Sequence, residues 1–313
     1  MKIAVSSVGT ATSVGVIHNI RKYDPAIAII GMDINPYGYT AGSQLVDRYY
    51  QVPLATDRMY IAVIKDIIER NAIDLFIPIN DVEIAATSEK LSDISQLCRV
   101  LVPTVEVLNL IQHKYNMNQR AIGLGLRVPE MEQLDPDKKC IVRDYYGVGS
   151  KGIQIYESSR GLHIDRSKQF LQEYIDGVEY TVDVLSTDTG TPIYIIPRKR
   201  LEVKSGVATK VEIQNDPELI ADTAKLLEHI KIPGFCNVQF IKDRKGVNWF
   251  IEINPRIGGC SNSSLLAVPQ MFPTFMKVAE KEPITTEIIN PSEVKWGAIV
   301  TRYYEDILYA KSN

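Results

Sequence analysis

The sequence predicts a mixed fold, α/β in its first third and α+β in the remainder. Through about residue 102, short apolar runs alternate with segments of helical spacing, which is typical of a parallel sheet flanked by helices. Beyond residue 103, strand-like runs follow one another across turns rich in Gly and Asp, which is typical of antiparallel strands. A chain of 313 residues is long for a single core, so we expect two or three lobes.

Composition and charge narrow the class of protein. The 35 Lys and Arg residues nearly balance 38 Asp and Glu residues, so no basic surface for nucleic acid is expected. Cys98, Cys140, Cys236 and Cys260 lack Cys-x-x-Cys spacing, which predicts reduced, buried thiols. No apolar run resembles a signal peptide or is long enough to span a bilayer. We therefore expect a cytoplasmic, globular protein that binds neither nucleic acid nor membrane.

The first hundred residues supply the predicted parallel sheet. Strands are predicted over residues 2–6, 26–32, 74–79 and 99–102, and helices over residues 14–23 and 59–70. Ligands of such sheets lie beyond the carboxyl ends of the strands, which places the 6–13 loop, Asp33 and the 80–83 turn along one rim. The glycines of this loop do not form Gly-x-Gly-x-x-Gly, so a dinucleotide site is poorly supported. Asp81 and Glu83 either cap the next helix or, in the case of Asp81, hold an acceptor substrate.

The segment from residue 108 to 156 combines a helix with a glycine-rich loop between two strands. The helix, predicted over residues 108–123, carries Lys114 and Asn118 one turn apart. A strand at 140–143 leads into residues 145–152, where Gly149 and Ser150 offer backbone N–H groups to phosphates, and a second strand follows at 153–156. The loop lacks the Walker pattern, and a flexible turn is the alternative. Arg143 places a cation beside it.

Acidic and basic residues mark the ends of the next strands. Glu173 ends one strand and Glu179 begins another, with Tyr174, Ile175 and an Asp-Gly turn between them. Carboxylates in these positions suit ribose hydroxyls, and the intervening backbone suits an adenine edge; solvated residues beside a turn are the alternative. Further on, alternation puts Arg198 and Arg200 on one side of a strand, which suits an anion site or a solvated sheet edge.

The most informative stretch is Trp-Phe-Ile-Glu-Ile-Asn-Pro-Arg at residues 249–256. In a strand, Glu252 and Asn254 point to the same side, and a hairpin through the turn at 243–246 would bring Gln239 beside Glu252. Carboxylate and amide oxygens gathered in this way suit Mg²⁺, which usually shares its shell with nucleotide phosphates. Arg256 follows, and its planar guanidinium suits a phosphoryl oxygen. An edge hairpin with solvated polar residues is the alternative.

Taken in order, these pieces resemble the ATP-grasp superfamily, closest to its carbamoyl-phosphate synthase large-subunit and carboxylate–amine ligase branch. The resemblance rests on a helical lysine, a basic strand before Gly-x-Gly-Ser-x-Gly, Gln-Glu-Tyr-Ile-x-Gly-x-Glu-Tyr-Thr-Val-Asp, Arg-Lys-Arg, and Glu-x-Asn-Pro-Arg followed by Gly-Gly. It implies an N-terminal Rossmann-like sheet domain over residues 1–106, a linker helix and lid subdomain over 107–172, and a C-terminal antiparallel lobe over 173–313. ATP would be gripped between the last two.

The resemblance also implies a role for each candidate residue. Lys114, Arg143 and the loop at Gly149 and Ser150 would contact ATP phosphates, and Glu173, Tyr174 and Ile175 would hold adenine. Glu179 would bind ribose. Gln239, Glu252 and Asn254 would bind Mg²⁺ or Mn²⁺, with Arg256 and Arg200 acting on the transferred phosphoryl group. An acceptor pocket would form from the N-terminal rim and residues 205–209 and 258–264.

The expected activity is an ADP-forming ligase that activates a small carboxylate as an acyl phosphate and joins it to an amine or amino acid. Arg143 stands where many members have lysine, and residues 157–169 leave little room for a lid helix. The sequence contains neither a glutaminase domain nor a second such unit, so we do not expect carbamoyl phosphate synthesis. Kinase or carboxylase chemistry and a non-catalytic nucleotide-binding module stay open. Residues 294–309 predict a strand followed by amphipathic structure, which packs on the C-terminal lobe or serves a homodimer contact.

Overall fold

The N-terminal region of the computed structural model is a parallel sheet covered by helices. The structure describes residues 1–147, 152–204, 206–303 and 305–310. The sheet has the order β3-β2-β1-β4-β5 and contains β1 (Lys2–Val5), β2 (Ala28–Asp33), β3 (Arg48–Gln51), β4 (Leu75–Ile77) and β5 (Arg99–Val100). Its helices are α1 (Ala11–Tyr23), α2 (Tyr60–Asn71), α3 (Asp81–Glu89) and α4 (Leu91–Ser95), and a short 3₁₀ helix spans Ala41–Gln44. The predicted parallel sheet is therefore confirmed.

Two features of this first part differ from the prediction. Strand β3 was not predicted, because it is an edge strand whose partly exposed Tyr49 and Tyr50 give no clear alternation. The single helix predicted over residues 108–123 is two helices, α5 (Val105–Gln112) and α6 (Lys114–Gly123). His113 breaks the helix because its backbone is extended and its side chain accepts a hydrogen bond from the N–H of Asn116, which caps α6.

A small antiparallel sheet follows, with β6 (Cys140–Asp144) between β7 (Ile153–Tyr156) and β8 (Gln169–Glu173). Residues 157–168, all of them described, form turns and contain no helix, in line with the short lid expected from the sequence. The glycine-rich segment runs from β6 to β7. Its residues 148–151, including Gly149 and Ser150, lie outside the part of the chain that the structure describes.

The C-terminal region is a six-stranded antiparallel sheet of order β13-β12-β9-β10-β11-β14. It comprises β9 (Gly177–Ser186), β10 (Pro192–Lys204), β11 (Val207–Ile213), β12 (Gly234–Asp243), β13 (Asn248–Asn254) and β14 (Ile299–Thr301). Helices α7 (Pro217–His229), α8 (Asn262–Ala267) and α9 (Met271–Ala279) accompany it. The predicted C-terminal strand is only the three residues of β14, and no helix or strand follows in the described residues up to 310.

The turn predicted between Glu173 and Glu179 is a connection between two sheets. β8 belongs to the small sheet and β9 to the large one, so three residues carry the chain from one to the other. One apolar core joins the N-terminal and C-terminal sheets, since Ile3 and Val5 share a cluster with Leu185, Tyr194 and Phe272. The four cysteines are free and buried, which confirms the prediction of reduced thiols. Among the described residues, no helix is both long and apolar enough to cross a membrane.

Candidate active site

The β12–β13 hairpin brings the predicted metal ligands together. Its register pairs Gln239 with Glu252, which confirms that these two residues are neighbours, and it also pairs Asn237 with Asn254. Apolar residues between them, such as Val238 and Ile253, are buried and fix the strands in the sheet. Gln239, Glu252 and Asn254 are consequently neighbours on the paired strands β12 and β13 of the large sheet.

Glu252 lies between two cations. Its Oε2 accepts hydrogen bonds from Nζ of Lys114 at 2.5 Å and from Nη2 of Arg143 at 3.2 Å. Burial alone would raise the pKa of Glu252, but the charges of Lys114 and Arg143 outweigh it and lower the pKa below 4.5. Glu252 is therefore an ionised carboxylate at neutral pH. Arg143 is held from its other side by Oε1 of Gln172 at 2.8 Å.

The oxygen donors at this place fit a hard divalent cation. The amide nitrogen of Asn254 donates to Oδ1 of Asn237 at 3.2 Å and lies 3.5 Å from Oε1 of Glu252, so its Oδ1 is left for another partner. Within the described residues, no hydrogen bond of the Gln239 side chain is observed. The described residues contain no cluster of three His, Cys, Asp or Glu, so the donor set would be one carboxylate and two amides. Such a set suits Mg²⁺ when phosphates and water complete its shell.

A cavity of about 280 Å³ lies between the small sheet and the large sheet. Ile141, Ile153, Ile155 and Ile251 give it an apolar wall, and the connection from β8 to β9 closes one side. It gathers most of the predicted nucleotide-site residues: Lys114, Arg143, Glu173, Tyr174, Ile175, Glu179, Arg200, Gln239 and Glu252. An apolar slot lined also by cations and oxygen ligands offers the kinds of contact that the base and the phosphates of a nucleoside triphosphate require.

A second, polar cavity of about 150 Å³ lies beside the same strand end. Arg198 and Arg200 both line it, as the alternation along the strand predicted. It shares Arg200, Gln239 and Glu252 with the first cavity and adds Asn254, Arg256, residues 206–208 and residues 258–260. Arg200 forms an ion pair with Glu179 and donates to the carbonyl oxygen of Gly206 at 2.8 Å. Of the segments predicted to build an acceptor pocket, residues 206–208 and 258–260 line this cavity, whereas the N-terminal rim does not; Ser205 lies outside the described residues.

The N-terminal rim approaches this site through Asp81. Asp81 Oδ1 accepts a hydrogen bond from Nε of Arg256 at 2.7 Å. Asn80 is the N-cap of α3, and Glu83 completes a capping box with it, so capping is the role of Glu83. Ser7, Gly9, Asp33 and Asn80 line a separate cavity of about 350 Å³ beyond the parallel strands. There Asp33 accepts from the N–H groups of Gly9 and Asn35, at 2.7 and 3.0 Å, which holds the loop after β1.

Asp183 and Arg198 form a buried ion pair that was not predicted from the sequence. Nε of Arg198 lies 2.6 Å from Oδ2 of Asp183, and both side chains are buried. A signal was present, because Asp183 interrupts the apolar run of β9 at an inward-facing position. The pairing itself depends on the alignment of two strands, which local pattern does not give.

Two family models match the chain. Residues 3–102 match the family described as "PylC-like, N-terminal domain", and residues 165–301 match "ATP-grasp in the biosynthetic pathway with Ter operon". No curated protein matches the chain significantly. The second match, over residues 165–301, bears out in that part of the chain the ATP-grasp resemblance that the sequence motifs indicated.

Solved structures of low sequence identity share the fold. Campylobacter jejuni biotin carboxylase, in complex with an ATP analogue, has a TM-score of 0.73 at 15% identity and covers 91% of this chain and 72% of its own. Staphylococcus aureus N5-carboxyaminoimidazole synthetase with ADP has a TM-score of 0.73 at 14% identity, and the match covers 96% of this chain and 82% of the synthetase. The biotin carboxylase domain of Hydrogenobacter thermophilus 2-oxoglutarate carboxylase, with MgADP and bicarbonate, has a TM-score of 0.75 at 14% identity. This match covers 95% of this chain and 73% of that domain's chain. These similarities establish the fold.

Proposed function

We propose that this chain, which matches an ATP-grasp family model over residues 165–301, is an ADP-forming ligase that activates a carboxylate and joins it to an amine or amino acid. One observation carries the proposal: the apolar cavity and the polar cavity meet at Gln239 and Glu252. A nucleotide in the first cavity would thus present its terminal phosphate to an acceptor in the second.

The nucleotide would lie with its adenine against the isoleucine wall and the backbone of Glu173, Tyr174 and Ile175. Glu179 would accept from the ribose hydroxyls. Lys114 and Arg143 would move from Glu252 to the phosphates, which compete for the same cations through charge-assisted hydrogen bonds. The loop at Gly149 and Ser150 stays a predicted phosphate contact.

Gln239, Glu252 and Asn254 would hold Mg²⁺ or Mn²⁺ as a cofactor, and the bound cation would neutralise charge on the β- and γ-phosphates. Arg256 and Arg200 would stabilise the transferred phosphoryl group. The positions of the side chains support this division, because both arginines line the polar cavity, Gln239 and Glu252 line both cavities, and Asn254 lines the polar cavity beside them.

The chemistry requires no protein nucleophile. A carboxylate oxygen attacks the γ-phosphorus, the bond to the β–γ bridging oxygen breaks, and ADP leaves with that electron pair. The amine nitrogen then attacks the acyl carbon, phosphate leaves with the carbon–oxygen electron pair, and the nitrogen loses a proton to solvent or phosphate. Crowding among anions is the main barrier, so positioning and cations supply most of the catalysis.

A second candidate is carboxylase-type chemistry in which bicarbonate is the carboxylate. It is favoured by the structural similarity to a biotin carboxylase and to N5-carboxyaminoimidazole synthetase. A product assay separates the two candidates, because only a carboxylase depends on bicarbonate. A non-catalytic binding module is disfavoured by the retention of Gln239, Glu252, Asn254 and Arg256 around the cavities.

A homodimer and a cytoplasmic location are further parts of the proposal. The C-terminal segment leaves Tyr303 and Leu308 81% and 90% exposed, which suits a contact with a second copy. Sedimentation velocity of the full chain and of a chain ending at residue 301 tests the contact. A monomer in both cases would contradict it.

The test of the proposed activity is ADP release from MgATP in a screen of small carboxylates, each with and without amines and bicarbonate. The wild-type protein should release ADP only with an acceptor, and Glu252→Ala should lose this turnover while its circular dichroism is unchanged. The exposed Glu228→Ala on α7 is the matched control and should retain activity. Turnover by folded Glu252→Ala at the wild-type rate would refute the assignment of the site.

A further inference from the structure

We propose that the acceptor carboxylate binds in the polar cavity against Nη1 of Arg198, a guanidinium that Asp183, Ser261 and Ser264 hold in place. The inference rests on the proposed ligase function and names the anchor for its acceptor. The ligand class is a small carboxylate, because the cavity measures about 150 Å³.

Arg198 uses only part of its hydrogen-bonding capacity inside the protein. Its Nε and Nη2 donate to the two oxygens of Asp183 at 2.6 and 3.2 Å. Within the described part of the chain, Nη1 has no hydrogen-bond partner and is not fully buried. The side chain as a whole is 4% exposed and lines the cavity. An unpaired guanidinium nitrogen in so buried a side chain can donate hydrogen bonds to an anion.

Asp183 fixes the plane of that guanidinium. Besides Arg198, its Oδ1 accepts from the hydroxyl of Ser261 at 2.6 Å, and its Oδ2 accepts from the hydroxyl of Ser264 at 2.7 Å. Each carboxylate oxygen therefore has two donors, and the network links β9 and β10 to α8 and the turn before it. A pair with only a structural role has no need for a guanidinium that lines a cavity and keeps Nη1 unpaired.

An anion bound to Arg198 would lie in the polar cavity, where the proposed reaction requires the acceptor carboxylate. The cavity wall contains Gln239, Glu252 and Asn254, the proposed metal ligands, together with Arg256. A carboxylate bound to Arg198 would therefore lie beside the γ-phosphate. Ser261 also accepts from the N–H of Gly258 at 2.7 Å, so the same network shapes the loop that closes the cavity.

Arg198→Lys tests the anchor, because one ammonium group cannot serve both Asp183 and the cavity. With the carboxylate identified by ADP release, its KM should rise about tenfold or more, as for the loss of one charge-assisted hydrogen bond. The affinity for a non-hydrolysable MgATP analogue should stay within about twofold of the wild-type value. Ser264→Ala, which removes one donor from Asp183, should raise the same KM by a smaller factor. Lys199→Met, the neighbour outside both cavities, is the matched control and should change neither quantity.

A direct binding measurement keeps the anchor separate from the activity. ¹³C-acetate is the probe, followed by line broadening in the presence of MgADP. Broadening with wild-type protein and its loss in folded Arg198→Lys support the site even if no carboxylate stimulates ADP release, a result that would refute only the ligase proposal. Unchanged KM in an active, folded Arg198→Lys, or acetate broadening equal in both proteins, would overturn the inference. If Arg198→Lys does not fold, an unchanged KM in Ser264→Ala has the same consequence.

Discussion

Glu252 is the residue on which the site's electrostatics depend. It is the acidic member of the proposed metal set, and its two cationic partners are the residues expected to contact phosphates. The sequence predicted that these residue types would matter, because Glu252, Asn254 and Arg256 follow strand alternation closely. It did not predict the partners Lys114 and Arg143 of Glu252 or the pair of Asp81 with Arg256, since these join segments far apart in the chain. It also did not predict the pair of Asp183 with Arg198, since that pair depends on how β9 and β10 align.

The pH dependence of folding stability tests the ionisation of Glu252. Its pKa is lowered in the folded protein, so its stabilising contribution is complete above about pH 4.5 and is lost as the pH falls through the folded pKa. The difference in free energy of unfolding between wild type and Glu252→Gln should therefore shift against the wild type below pH 4.5. Urea denaturation at a series of pH values measures it. A difference that does not change with pH would contradict the ion pairs.

Glu83 supplies a comparison of opposite sign. Burial raises its pKa above 4.5, although hydrogen bonds from Ser6 and the N–H of Asn80 act against the shift. Ionisation of Glu83 is thus less favourable in the folded protein, so its contribution is largest at low pH and declines as the pH rises through its folded pKa. Relative to Glu83→Gln, the wild type should lose stability over that range. A shift in the same direction as for Glu252 would contradict its burial.

At the scale of elements, the connection from β8 to β9 sets the shape of the nucleotide cavity. Gly177 begins β9, and a Cβ built there would lie 2.3 Å from the carbonyl oxygen of Lys242 on β12. We expect Gly177→Ala to destabilise the fold by about 1–3 kcal/mol, as overpacking does, and to weaken MgATP binding because β9 carries Glu179. Thermal unfolding and calorimetry measure the two effects.

Gly123→Ala is the matched control for that substitution. Gly123 is the last residue of α6, and a Cβ there meets nothing within 4 Å. Alanine in a helix is favoured over glycine by about 0.5–1 kcal/mol, so stability should be unchanged or slightly higher and nucleotide binding unaffected. Equal effects of the two substitutions would show that close packing at Gly177 is unimportant.

The elements that sequence predicted are those with a strong local pattern. The parallel strands and the β12–β13 hairpin follow from short apolar runs, turn residues and alternation. The break at His113 depends on one side chain accepting from the backbone of Asn116, and β3 depends on pairing with β2. The residues after Glu173 have the composition of a turn whether the next strand joins the same sheet or a different one. Only the tertiary structure shows that β9 belongs to a different sheet from β8.

At the scale of the whole molecule, the N-terminal and C-terminal sheets share an apolar core. Residues 1–106 contribute Ile3, Val5 and Ile17 to a cluster completed by Leu185 and Phe272. A fragment ending at residue 106 would expose this surface and should unfold at much lower urea concentration than the full chain, or without a cooperative transition. A fragment as stable as the intact protein would contradict a shared core.

The most direct test of the account is isothermal titration of a non-hydrolysable ATP analogue into the full chain, with and without Mg²⁺. We predict Mg²⁺-dependent binding in the wild type and a loss of that dependence in Glu252→Gln, because an amide provides less charge for the cation. Binding that ignores Mg²⁺, or that is the same in both proteins, would contradict a metal–nucleotide site at the end of β13.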